Sequence, residues 1–226
     1  MPAVAHMDFE FYETPHAFTH YLFRALGERG IGAYGNLFEP CVGNGAIVNA
    51  SYTAGGLMLP REWATNDIDP RWQGNLCHDA TDDALWLFVN KGHGVDWTIS
   101  NPPFTPAIEI IDQAIAFSKV GVAMHLRASI HEVLKTGIRR TWMNLHKPTG
   151  ILWLPRFAYQ RSKTTGKWTT DSVCACWVIW MRDPDVPQFI DYAPECVIDA
   201  LDAETPAYRE RMDALMANYK QGDPIG

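Results

Sequence analysis

The run Asn101-Pro102-Pro103-Phe104 carries the most chemistry in this chain, and it directly follows the apolar segment VDWTIS of residues 95–100. An exocyclic amine on a heteroaromatic ring is a poor nucleophile, because its lone pair is delocalised into the ring. Two acceptors placed on its two protons hold the nitrogen toward tetrahedral geometry and free that pair. The side-chain oxygen of Asn101 can be one acceptor and the carbonyl of Pro102 the other. The consecutive prolines, Pro102 and Pro103, remove backbone donors and stiffen the turn, which aims the carbonyl outward. Phe104 offers a flat face for a base to stack on, worth about 1–3 kcal/mol. Transfer of an alkyl group from a sulfonium to such a nitrogen needs no metal and no covalent enzyme intermediate. Proximity and orientation do most of the work.

A second constellation lies upstream, in FEPCVGNGAIV from Phe38 to Val48. Gly43 and Gly45 let the backbone turn tightly and approach a ligand closely. A dinucleotide fingerprint needs a third glycine three residues after Gly45, where Val48 stands. A Walker A loop fails too, because no GK[ST] follows. What remains is an acid, Glu39, followed by Pro40 and a Gly-x-Gly turn. An acid there suits a cationic or amine-bearing ligand and repels a pyrophosphate. Asp67 ends the next strand-like segment, 22 residues after Gly45, where an acid can accept hydrogen bonds from ribose hydroxyls. Asp69 competes for that role, and Ile68 between them can pack on a purine face. Asp79, followed by Ala80, can accept a bond from an adenine amino group; a helix or turn cap would read the same way.

These residues need strands that end where they stand. Residues 36–39, 62–66, 95–100 and 120–126 read as strands, and 16–29, 45–52, 106–118, 131–146 and 203–220 as helices. Residues 150–159 and 173–180 read as two further strands joined by the polar loop QRSKTTGKWTT, a long closing hairpin. Strands alternating with helices predict an α/β fold: an open, Rossmann-like, mostly parallel sheet with helices on both faces. The closing hairpin makes its last strand antiparallel. In such sheets ligands bind beyond the carboxyl ends of the strands, and every candidate above falls at such an end.

The formal net charge of −7 argues against a nucleic-acid partner, but its distribution argues for one. Residues 127–167 hold nine basic residues, Arg127, Lys135, Arg139, Arg140, Lys147, Arg156, Arg161, Lys163 and Lys167, against the single acid Glu132. That stretch carries +8 and the rest of the chain −15, the trace of a basic face on an acidic body. The five cysteines form no CxxC pair and no zinc-spaced cluster, which predicts reduced thiols. Cys174 and Cys176 read as buried packing. No apolar run approaches the ~20 residues of a membrane span, and the N-terminus lacks the features of a signal peptide.

Taken in order, these pieces resemble the amino-methyltransferases of DNA, and most closely the N6-adenine members. The segment YETP, with Tyr12, Thr14 and Pro15, resembles the cofactor-binding segment that precedes the glycine turn in that family. EPCVGNG resembles its motif I, Asp67 and Asp79 the acids of motifs II and III, and NPPF the catalytic motif IV. Asn rather than Ser at position 101 favours adenine over cytosine. NPPF also occurs in RNA guanine-N2 methyltransferases, and the preceding YETP tips the balance toward DNA. The resemblance implies S-adenosylmethionine as cofactor, with Asn101 also near it, N6 of adenine as acceptor, and DNA as partner, RNA less so. It calls for no metal and no membrane, places the protein in the cytoplasm of a bacterium or phage-infected host, and allows a homodimer. The expected organisation is one methyltransferase domain over 1–226, with a catalytic core at 9–180 and a tail with a helix at 181–226. The alternatives are an RNA or cytosine-N4 enzyme, or a non-catalytic binding module of the same fold. The compact size resembles methyltransferases of phages and mobile elements, with short or relaxed sequence specificity. A base inside a duplex must be flipped out to be reached. Phe157 and Tyr159, at a strand end, are candidates with Phe104 for its aromatic pocket. Lys135, Arg139, Arg140, Lys147, Arg156, Arg161, Lys163 and Lys167 are candidates for the phosphate backbone.

Overall fold

A computed structural model describes residues 12–54, 62–72, 74–92, 94–131, 138–162, 164–169 and 174–221. The strands are β1 (Asn36–Glu39), β2 (Glu62–Thr65), β3 (Val95–Ser100), β4 (Ser118–Arg127), β5 (Gly150–Trp153), β6 (Ala175–Met181) and β7 (Phe189–Tyr192). The helices are α1 (His16–Gly27), α2 (Ala46–Thr53), α3 (Asp83–Gly92), α4 (Ala107–Phe117), α5 (Ile138–Leu145) and α6 (Glu195–Gln221), with a 3-10 turn over Ala128–His131. They form one seven-stranded sheet in the order β2-β1-β3-β4-β6-β5-β7. All neighbours run parallel except the two pairs that involve β6. The fold is the Rossmann-like, mostly parallel α/β sheet that the alternating pattern predicts, and the closing hairpin supplies its antiparallel strand.

Burial on both faces explains the near-continuous apolar strands. On β6, Ala175, Trp177 and Ile179 pack into a core shared with α1 and α6, while Cys176, Val178 and Trp180 face a core shared with α3 and α4. Of the two cysteines expected to be buried packing, Cys176 is buried and Cys174 is only half-buried. On α4 the buried residues Ala107, Ile110, Ile111 and Ala114 form one stripe at helical spacing. No described helix is long and apolar enough to cross a membrane.

Five elements differ in extent or presence from expectation. The strand expected over 150–159 stops at Trp153: Leu154 donates the final rung to the Ala175 carbonyl at 3.1 Å, and Pro155 has no N–H to continue the ladder. The short edge strand β7, parallel to β5, and the helix α3 lie in stretches where no pattern suggested an element. The helix expected over 203–220 begins eight residues earlier, at Glu195, and runs through Pro206. A proline suits a first turn, so the sequence reads as a start there. Val197 and Leu201 are buried on the same core as Tyr208 and Met212, and that packing carries the helix through. Of the helix expected over 131–146, α5 holds the second half, and 132–137 lie outside the described residues.

Candidate active site

The chain leaves β1 at Glu39, crosses Gly43 and Gly45, and enters α2. Both glycines are left-handed, at φ 50° and 76°, a region that strains any side chain with a Cβ. The turn is tied to the loop after β2. Gly43 N–H donates to Asp67 Oδ2 at 2.8 Å, and Asp69 N–H to Asp67 Oδ1 at 3.0 Å. Val42 N–H donates to the Asn66 carbonyl at 2.8 Å, and Asn66 N–H to the Glu39 carbonyl at 2.9 Å. The fully buried Asn66 side chain completes the knot: its amide donates to the carbonyls of Pro40 and His78, each at 2.9 Å, and its oxygen accepts from His78 N–H at 2.9 Å. Asp79 begins just past that junction.

The acids here separate by environment. Glu39 is 2% exposed. Burial pushes its carboxyl well above the usual carboxylate range, and the neighbouring charge of Asp67 adds to the effect. Its Oε2 has no hydrogen-bond partner among the described residues. Burial also raises Asp67, against the backbone hydrogen bonds from Asp69 and Gly43. Burial pushes Asp69 up as well, but the Arg71 hydrogen bonds and charge more than offset it and hold the carboxyl low. Arg71 Nε reaches Asp69 Oδ1 and Oδ2 at 2.9 and 3.0 Å. Of the two rivals, Asp67 faces the cleft and Asp69 is occupied by Arg71. Asp79 caps a turn, accepting from Thr81 N–H and hydroxyl at 2.9 and 2.8 Å, while it also borders the cleft.

The turn after β3 meets the N-terminal segment. The Asn101 amide donates to the Tyr12 carbonyl at 2.7 Å and to Thr14 Oγ1 at 3.1 Å. With both amide protons so placed, Oδ1 is the remaining polar end of the side chain. The Phe104 ring lies 5.2 Å from that of Tyr12. Arg127, at the end of β4, sets its guanidinium 4.0 Å over the Phe104 ring and 5.5 Å from the Tyr12 ring.

Helix α6 holds this segment from the other side. Arg211 Nη2 reaches the buried Glu13 carboxylate at 2.7 Å, and Asn44 of the glycine turn binds the same carboxylate. The Tyr208 hydroxyl lies 3.0 Å from the Glu13 carbonyl and 3.1 Å from that of Tyr159, so its single proton is shared. Glu204 accepts from His16 and Ala17 N–H at 2.9 and 3.0 Å; it caps α1, which lacks a cap of its own after Pro15. The stretch expected to be a tail thus braces Tyr12–Pro15.

Together these loops border a cleft, open to solvent at its mouth, at the carboxyl ends of β1 and β3. This is the point where the strand order reverses, the usual ligand position in open α/β sheets. Tyr12, Thr14, Glu39, Pro40, Gly43, Asp67, Ile68, Asp79, Ala80, Asn101 and Pro103 border it together. Pro15 is buried behind it, Gly45 caps α2 beside it, and Pro102 is buried in the turn. Phe157 lies elsewhere: it is buried in the core against Phe18, Tyr159 and Tyr208. Tyr159 is buried too, but its ring meets that of Tyr12 edge-on at 6.1 Å. The Tyr159 hydroxyl sits 3.2 Å from His125 Nε2, and burial lowers His125 to about 3, so that imidazole stays neutral.

Arg161 is committed to Asp213 of α6, with Nε and Nη2 each 2.7 Å from a carboxylate oxygen, and it flanks the Trp168 ring. Lys147, Arg156 and Lys167 are exposed. Arg139 and Arg140 are on α5, and Lys135 and Lys163 lie outside the described residues. Glu13, Asn44, Asn66, Trp72, Ile110 and Arg127 belong to the site without standing out in the sequence. Glu13 and Asn44 lie inside the recognised segments, and Arg127 was visible only as one base among nine.

No protein-family model and no curated protein sequence matches the chain. Solved structures match its fold. A Listeria monocytogenes structure assigned as a class I S-adenosylmethionine-dependent methyltransferase superposes with TM-score 0.54 at 15% identity, over 86% of this chain and 71% of that one. A modification subunit assigned to a type I restriction enzyme of Vibrio vulnificus gives 0.55 at 11% identity, over 90% of this chain. The chain spans about half of that subunit, 54%. A Pyrococcus horikoshii structure assigned as an RNA methyltransferase gives 0.50 at 15% identity, over 76% of this chain and 87% of that one.

Proposed function

We propose that the chain transfers the methyl group of S-adenosylmethionine to N6 of adenine in DNA, with short or relaxed sequence specificity. The observation that carries this reading is the anchoring of the Asn101 amide by the Tyr12 carbonyl and Thr14 hydroxyl. It leaves Oδ1 to accept a proton of an exocyclic amine, with the Pro102 carbonyl as second acceptor and Phe104 as stacking face. The buried Glu39 supports the cofactor: a carboxyl raised by burial, with an orphaned Oε2 at the cleft, suits a cationic group that would pair with it. Asp67 would accept from ribose hydroxyls, Ile68 and Ile110 would flank the purine, and Asp79 would accept from its amino group.

The cofactor supplies an electrophilic methyl carbon on a sulfonium. Asn101 and the Pro102 carbonyl would hold the acceptor amine with its lone pair toward that carbon, whose transfer would leave the carbon–sulfur bonding pair on sulfur. The methylated nitrogen is then cationic and acidic, so its proton passes to water without a dedicated base. The deciding experiment is incubation with labelled cofactor and unmethylated DNA, then nucleoside analysis. Label in N6-methyldeoxyadenosine is expected. Label in RNA alone or in N4-methylcytosine would replace the reading, and none in any nucleic acid would end it.

A further inference from the structure

We infer that Arg127 is a specificity-determining residue of the acceptor side: it covers the Phe104 ring in the free protein, yields that face to the target base, and then pairs with a phosphate flanking the base. The inference rests on the reading of this cleft as an adenine N6 site. Arg127 ends β4, the neighbour of β3, whose own end carries Asn101 to Phe104. Its guanidinium lies 4.0 Å over the Phe104 ring, and its Nη2 is 3.5 Å from the Tyr12 hydroxyl. Tyr12 in turn abuts Phe104 at 5.2 Å and Tyr159 at 6.1 Å. The aromatic faces beside Asn101 therefore already hold a planar cation.

A guanidinium and a purine bind an aromatic face by the same geometry, flat and at van der Waals distance. They cannot share one face of Phe104. When the base takes it, stacking lost by the cation is replaced by stacking gained by the base, so that exchange is close to balanced. What tips it is the new environment of the released guanidinium. A nucleotide brings a phosphate a few ångströms from its base, and the planar fork of arginine pairs with phosphate through two parallel hydrogen bonds. A nucleoside brings none, and displaces Arg127 without that return. The residue would therefore select acceptors that carry a phosphate, which is what distinguishes a strand from a free nucleoside.

The test compares kcat/KM for deoxyadenosine, deoxyadenosine 5′-monophosphate, deoxyadenosine 3′-monophosphate and a single-stranded oligonucleotide with one adenine. For wild type, the monophosphate whose phosphate meets Arg127 should exceed the nucleoside on the order of 10- to 100-fold, the factor of a hydrogen bond to a charged group. The two monophosphates tell which side it meets. In Arg127→Met the ratio should collapse toward one, and in Arg127→Lys it should fall between, since a point charge lacks the fork. A ratio within each variant is insensitive to partial loss of folded protein. Fluorescence titration with 2-aminopurine deoxyriboside and its 5′- and 3′-monophosphates gives the same ratio from binding alone. Equal ratios in wild type and Arg127→Met overturn the inference. A wild type that methylates the oligonucleotide but prefers neither monophosphate also overturns it and spares the adenine reading. A wild type that methylates none of the four removes both.

Discussion

The two halves of the cleft are built by different means. On the Glu39 side, loops after β1 and β2 are stitched through backbone groups: Asn66 and Asp67 together bind Gly43, Asp69, Pro40, His78, Val42 and Glu39. On the Asn101 side, apart from the anchored amide, the contacts are between side chains: Tyr12, which borders the cleft, meets Phe104, Tyr159 and Arg127, and Arg127 also covers Phe104. A hydrogen-bonded backbone has one geometry, and removing a member leaves buried donors unpaired. A cluster of rings and one long cation can rearrange at small cost, since each contact is worth little alone. The contrast fits a site that holds one invariant ligand on one side and admits a large, variable one on the other.

The sharpest division of the two sides is Asn101→Ala. Transfer should fall on the order of 10²–10³-fold, the scale seen when one preorganised hydrogen-bonding group is removed from a reacting centre. Affinity for S-adenosylmethionine should change far less. Calorimetry alongside single-turnover assays would check it, and equal losses in both would mean that the two sides are not separable.

Next comes Asn66→Ala, which removes the knot without touching the cleft. It should cost about 2–4 kcal/mol of stability, because several buried backbone groups lose partners at once. Cofactor affinity should drop with it. Urea melts of wild type and variant would measure the cost, and a loss under about 0.5 kcal/mol, typical of a surface change, would show that the loops hold without it.

The smallest effect has an unusual sign. Glu39 holds its proton more tightly in the folded free protein than when unfolded. Such a group stabilises fully below its unfolded value, and that contribution is lost as pH rises through its folded value. Glu39→Gln mimics the protonated form, so the variant should melt above wild type at neutral pH. The gap should close as the pH falls into the ordinary carboxylate range. Cofactor affinity should run the other way: in wild type it rises as Glu39 ionises, and in the variant it should be weaker, on the order of tenfold, and flatter with pH. Paired thermal melts and titrations across pH would read both, and a variant that melts lower at neutral pH would show that the carboxylate is satisfied within the protein.

What the sequence displays follows the same division. The glycine turn, Asp67 and NPPF are legible because each is a local run at a strand end, and the sheet is legible because buried strands are apolar throughout. Asn66 is invisible: nothing in its type or spacing says that its amide reaches Pro40 and His78. Phe157 misleads, since an aromatic at a strand end looks alike whether it faces a cleft or, as here, a core shared with Phe18 and Tyr208. Nor does the sequence show that Arg161 pairs with Asp213, 52 positions along the chain. Nothing in the sequence separates Asp67 from Asp69; the structure puts Asp67 at the cleft and Asp69 against Arg71.

The brace from α6 has a consequence in time. Arg211 and Glu13 are 198 positions apart, and Tyr208 and Glu13 195. Closing so long a loop costs roughly 5 kcal/mol of chain entropy, which is recovered only when both partners exist and the intervening sheet has brought them together. During synthesis the glycine turn and the NPPF turn emerge well before Arg211 does. Until then Glu13, which lies between Tyr12 and Thr14, the groups that orient Asn101, lacks its bonds to α6. If the cleft is a methyl-transfer site, the segment that orients Asn101 would gain its brace from α6 only once that helix has docked.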